Sequence, residues 1–150
     1  MMNDISRTSA KGLARYAREY FDAAVAADDV LGMRPGYEIV APAPVLFLVA
    51  HSIELTLKAY LLYKGKSSED IKKLSHKLKD CWDEAKSEAV EDHVTLTTDE
   101  IELLDLINDL HVSTELRYIK TGYKNFPVFG PLYKLAKKLL DLICPLVECN

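Results

Sequence analysis

His51, Glu54 and Lys58 stand at i, i+3 and i+7 in the stretch VLFLVAHSIELTLKAYLLYK. On a helix of 3.6 residues per turn, this spacing puts an imidazole, a carboxylate and an ammonium on one face, over about 10 Å of axis. Apart from Ser52 and Thr56, the other positions between Val45 and Leu62 are almost all apolar. Ionised groups on so apolar a helix must be paired, hydrated or set along a cleft. Two readings follow. One is a Glu54–Lys58 surface pair with His51 beside it; the other is a polar cleft in the wall of a helical bundle.

Other residues are candidates to join that face. His76 falls where a helix is expected to begin, and there the positive end of the helix dipole favours a neutral imidazole, able to act as a base or a donor. Arg117 and Tyr118, in LRYI, end a later helical segment. Arg117 fits either a buried bridge to Glu54 or a phosphate contact. His111 and Glu115, at i and i+4, are the only other possible ligand pair, and an exposed hydrogen bond explains them better. No pair among the four histidines has zinc-like spacing, and ExxH, HExxH, P-loop, GxGxxG and GxSxG patterns are absent. Neither a metal site nor a cofactor is expected. The three cysteines, Cys81, Cys144 and Cys149, have no CxxC spacing and read as free thiols of a reducing cytosol.

The elements that must position these groups are helical. Leu13, Tyr16, Ala17, Tyr20 and Ala24 recur at three- and four-residue spacing as one buried stripe, with Arg7, Lys11, Arg15 and Arg18 roughly opposite as a solvated face. Leu31 to Pro44 holds two glycines and three prolines, which marks a loop. Pro44 suits the first turn of the next helix and Gly65 its C′ position. Because that helix is apolar on nearly all sides, it is expected at the centre. A short turn near Ser67 and Ser68 leads to a helix over Ser75 to Ala89 with Leu78, Trp82 and Ala85 inward. Thr97 with Glu100 three residues on is a capping box, opening a helix through Ile101, Leu104, Ile107 and Leu110 to about Glu115. After the loop TGYKNFPVFG, Pro131 starts a last helix through Leu135, Leu139 and Leu142. No stretch alternates at period two. The expected fold is all-α, one domain over residues 1–150, an up-and-down antiparallel bundle of about five helices with short connections.

Length and composition fit that picture. The chain has 150 residues, 49% hydrophobic and 28% charged, which is enough to build a core without staples. The N-terminal sequence has no apolar run of a secretory signal. Val45 to Ala50 is only six residues before His51 interrupts it, against about 20 for a membrane span, so no membrane association is expected and the location is cytoplasmic. The net charge of −4 argues against coating nucleic acid by bulk charge. That sum hides an asymmetry: Asp83 to Glu115 carries eleven acidic residues and one basic, whereas Leu116 to Leu140 carries six basic and none acidic. The basic segment also holds Tyr118, Tyr123, Phe126, Phe129 and Tyr133, a mixture that can hold single-stranded nucleic acid by phosphate neutralisation and stacking. The same rings can equally be core or a subunit interface.

AHSIELTLKAYLLYKGK, then LSHKLKDCWDEA after a short turn, then LRYI, resembles the HEPN family of small helical nucleotide-binding proteins. The motifs cover roughly residues 45 to 118 and the helix order covers the whole chain. The resemblance implies a helical bundle that forms a homodimer and binds a nucleotide or RNA. It also implies a place beside a minimal nucleotidyltransferase as a partner protein, in toxin–antitoxin or defence pairs. Active members are metal-independent RNases with an R-x4–6-H motif. Here no arginine is followed by a histidine at that distance; after Arg117 those places hold Gly122, Tyr123 and Lys124. What carries over is Glu54, Lys58, His76, Arg117 and Tyr118 as a binding cleft, to which the shared helix face adds His51 as a binding candidate, with His76 and Arg117 as the candidate catalytic pair if there is any cleavage. A purely structural interaction module, in which the polar set pairs internally, is the remaining alternative.

Overall fold

A computed structural model gives the fold and describes residues 8–113, 116 and 126–148. Arg117, Tyr118, Tyr123 and Cys149 lie outside the described residues. Among the described residues there are six α-helices and no strand: α1 (Ala10–Leu31), α2 (Ala43–Tyr63), α3 (Ser68–Leu74), α4 (Leu78–Ser87), α5 (Thr98–Val112) and α6 (Phe129–Glu148), with a 3₁₀ turn at Val90–Asp92. The fold is an all-α bundle.

The punctuation follows local chemistry. The Ser9 hydroxyl accepts from the Gly12 amide at the start of α1. Pro44 sits in the first turn of α2. At the far end Gly65 has φ +93, its amide donates to Leu62 and the Lys66 amide donates to Leu61. That pair of bonds is a Schellman ending, and it needs the left-handed backbone glycine adopts without strain. At Thr97 both arms of the capping box form, at 2.8 and 3.1 Å. Thr97→Ala is therefore expected to lower stability by about 1 kcal/mol, measured by urea unfolding.

α2 is the central helix. Its buried residues run nearly without a break from Val49 to Leu61, and α1, α4, α5 and α6 all pack on it. By length and composition alone it could cross a membrane, but 72% of its most apolar window is buried inside the protein. Its two buried hydroxyls are satisfied by backbone carbonyls. The Ser52 hydroxyl donates to the Ala17 carbonyl at 2.7 Å and Thr56 to the Ser52 carbonyl at 2.9 Å. The first of these spans a close crossing with α1, where Ala14, Ala17 and Ala24 are fully buried. Contacts of residue 17 with 52, and of Tyr20 with His51, run the two helices antiparallel. α6 returns antiparallel to α1, with Arg18 forked onto Glu148 at 3.0 Å twice.

Several expectations change. The expected turn after Gly65 contains α3, a seven-residue helix capped by Ser67. Its end is set by Ser75, whose φ of +52 is unusual for a side-chain-bearing residue, so α4 begins only at Leu78. α5 stops at Val112. Tyr16 is exposed and Phe21 takes its place in the buried stripe; Leu142 is also exposed, while Leu140 and Ile143 face inward. Three- and four-residue spacing fixes a face only to within about one residue, and the neighbouring helices decide which side is covered.

Candidate functional site

The face defined by His51, Glu54 and Lys58 looks into the molecule. Glu54 is 3% exposed and Lys58 8%, so the surface-pair reading does not hold. The face is turned toward α5 and the α3–α4 connection, and the charges survive there because they are paired. Lys58 Nζ donates to Glu54 Oε2 at 2.9 Å and to the Ser75 carbonyl at 2.6 Å. The second bond satisfies the end of α3 and holds the strained Ser75 in place.

That hold positions His76. The residue lies in the α3–α4 connection, two places before α4, and not at the helix start that the sequence predicts. Its Nδ1 is 3.1 Å from Glu54 Oε1 and 3.2 Å from Oε2, and its side chain is 52% exposed. His111 completes the cluster from α5, with Nε2 2.9 Å from Glu54 Oε1 and the residue 1% exposed. Its burial corrects the expectation of an exposed group; Glu115 lies outside the described residues. His51 Nδ1 is 3.9 Å from the same oxygen. The His51 ring stacks on Phe47 and meets Tyr20 edge-on at 4.5 Å. An ionised carboxylate only accepts, so the His76 and His111 nitrogens facing it carry the protons.

Burial alone would raise the Glu54 carboxyl. The hydrogen bond from His111, the charge and hydrogen bond of Lys58 and the nearby His76 outweigh it, and hold the group at about 2. Burial lowers the His51 imidazole from its ordinary value, against the pull of Glu54. Burial pushes the Cys81 thiol up to about 12 and the Cys144 thiol up to about 11, so neither is a nucleophile at neutral pH.

A cleft of about 520 Å³ opens over the cluster, lined by His51, Glu54, Lys58, Lys72, Ser75 and His76 with Thr8, Leu13, Tyr16 and Leu55. A larger cavity, about 770 Å³, lies where the α1–α2 connection meets the start of α6, lined in part by Asp28, Arg34, Tyr37, Ile39 and Phe129. It contains none of the clustered groups.

Four of the six residues singled out from the sequence, His51, Glu54, Lys58 and His76, therefore meet at one cleft. Arg117 and Tyr118 lie outside the described residues. His111 and Lys72 were missed. His111 shares the spacing of Leu104 and Ile107, both buried, and that periodicity is the signal that marks it as inward. The basic–aromatic segment fares differently: Phe126, Phe129 and Tyr133 pack against the core, Tyr133 stacks on Phe21 at 5.2 Å, and Lys137 and Lys138 pair with Asp141 and Glu100. These three described rings are partly buried. Comparisons with protein-family models, with curated proteins and with solved structures return no match.

Proposed function

We propose that the chain is an HEPN-like helical module that binds the phosphate of a nucleotide or RNA at the α2 cleft, without nuclease activity. One observation carries the reading. The buried Glu54 charge is already balanced by Lys58 at 2.9 Å, so the exposed Lys72 offers donors and positive charge at the cleft mouth, beside the half-exposed His76. Phosphate oxygens are the acceptors that such a mouth suits. A homodimer, a cytosolic location and a nucleotidyltransferase partner in a toxin–antitoxin or defence pair belong to the same proposal. The buried free thiols Cys81 and Cys144 suit a reducing compartment.

Binding of a fluorescent RNA oligonucleotide and of ATP, followed by anisotropy and calorimetry across a salt series, tests it. Affinity is expected to fall with added salt. His76→Ala and Lys72→Ala are each expected to weaken binding about tenfold, equivalent to about 1.4 kcal/mol. No binding of either probe at low salt refutes the reading, and leaves a protein-partner or purely structural module.

A second reading, a metal-independent RNase, is favoured by one feature. Glu54 engages His76 Nδ1 and leaves Nε2 as the nitrogen for proton transfer, as a carboxylate does for a catalytic imidazole. Nε2 would take the proton of a ribose 2′-hydroxyl, whose oxygen attacks phosphorus and expels the 5′-oxygen, leaving a cyclic phosphate. Arg117 would stabilise the developing charge. RNA left intact by pure protein in EDTA, or cleavage that survives His76→Ala, rules this out.

A further inference from the structure

Three imidazoles converge on one carboxylate oxygen. Glu54 Oε1 has His111 Nε2 at 2.9 Å, His76 Nδ1 at 3.1 Å and His51 Nδ1 at 3.9 Å. One oxygen has two lone pairs to offer, so hydrogen bonding explains two of these approaches and leaves the third unused. Ligand atoms of His51, Glu54 and His111 all lie within 4.8 Å of one another. In a tetrahedral first-row site, with bonds near 2.0–2.1 Å, ligand atoms stand about 3.3 Å apart. Small side-chain rotations bring the three groups to that spacing.

We propose that His51, Glu54 and His111 bind a divalent first-row transition ion of the Zn²⁺ class. The donor set selects the class: two imidazoles and a carboxylate suit zinc, cobalt or iron, whereas magnesium and calcium want oxygen alone. Lys58 stays on Oε2, leaving Oε1 to the ion and orienting the carboxylate as outer partners do in metal sites. Phe47 and Tyr20 bracket the His51 ring. The ion enters through the cleft, where His76 stands within reach as a fourth ligand. On binding, a protonated nitrogen facing Oε1 gives its lone pair to the metal, and its proton passes to the other nitrogen of the same ring. His111 Nδ1, which has no hydrogen-bond partner among the described residues, is the nitrogen that takes it in that ring. The proposal does not rest on the phosphate-binding reading, although the two share a cleft, and its test uses no nucleotide.

The full chain, stripped with EDTA and dialysed, is titrated with ZnCl₂ by calorimetry and with CoCl₂ by visible absorption. Expected are one ion per chain, a dissociation constant of about 1 μM or tighter, the intense cobalt bands of four- or five-coordination and a raised thermal midpoint with zinc. His51→Ala, at a partly exposed position, is expected to weaken binding at least about tenfold and to abolish the cobalt bands, with folding checked by circular dichroism. His93→Ala, an exposed imidazole outside the cluster, is expected to change neither. If His51→Ala does not fold, His51→Gln serves in its place, with the same weakening and loss of the cobalt bands expected. Absence of binding by the wild-type chain overturns the proposal, and so does binding with unchanged affinity and spectrum in the folded variant, which places the ion elsewhere.

Discussion

Glu54→Gln is expected to lower the free energy of unfolding by about 3–5 kcal/mol, the range for removing one partner of a buried ion pair. The amide keeps the shape of the carboxyl but not its charge. Lys58, 8% exposed, then keeps an ammonium with only the Ser75 carbonyl at 2.6 Å. The amide nitrogen also faces donors, because Glu54 now accepts from Lys58, His76 and His111, and a donor set against donors cannot satisfy them. Urea denaturation measures the loss, and the double variant Glu54→Leu/Lys58→Met is expected to recover most of it, since replacing a buried pair by apolar groups is often neutral. A change under about 1 kcal/mol in Glu54→Gln would show that the cluster is hydrated and does not hold the fold. The prediction also separates stability from function: the exposed Lys72 can be removed at little cost in stability, so Lys72→Ala reads the cleft alone.

Acid is expected to unfold the chain in a window set by the same carboxylate. Glu54 is held at about 2 in the folded chain against an ordinary value of 4.5. Between those values the unfolded chain binds more protons, so stability falls as the pH drops from 4.5 toward 2 and is fully present above 4.5. A shift of that size corresponds to about 3 kcal/mol. His51 acts in the same direction higher on the scale. Its folded value lies below the ordinary 6.5, so the unfolded chain takes up the proton first and stability begins to decline as the pH falls through 6.5. Urea titrations between pH 8 and about pH 3 check both. In Glu54→Gln most of the lower part of the decline should disappear, leaving the share of Glu100, which Lys138 and the Thr97 cap hold below its ordinary value, while the part near pH 6 remains. A wild-type curve that is flat below pH 4.5 would contradict the pairing of Glu54 with Lys58 and His111.

Much of this molecule is written locally. Thr97 and Glu100 specify a capping box, Gly65 a Schellman ending and Pro44 a first turn, because each device uses atoms within a few residues of one another. The near absence of a polar side on the stretch after Pro44 is enough to place α2 at the centre, since only a helix surrounded by others can bury every face. The shared face of His51, Glu54 and Lys58 is equally local, fixed by 3.6 residues per turn. So is the all-helical class, which follows from periodicity alone.

The environment of that face was not legible. Glu54 and Lys58 at i and i+4 make the same pair on a solvated helix as on a buried one. Burial depends on which neighbours cover the face, here α5 and the connection before α4. His111 reaches Glu54 across 57 residues of chain, and no spacing rule links positions so far apart. His76 arrives through a backbone conformation at Ser75, φ +52, that a Lys58 hydrogen bond holds and that propensity alone disfavours. In the basic–aromatic segment the described rings Phe126, Phe129 and Tyr133 pack against the core, one of the alternatives that their residue types leave open. Most of the helices, the caps at Thr97, Pro44 and Gly65 and the row of three polar groups on α2 can be read from the chain alone, because they rest on contacts within one or two turns. That Glu54 and Lys58 are buried, that His76 and His111 close on them and that a cleft opens above follow from packing between distant segments, which no local spacing encodes.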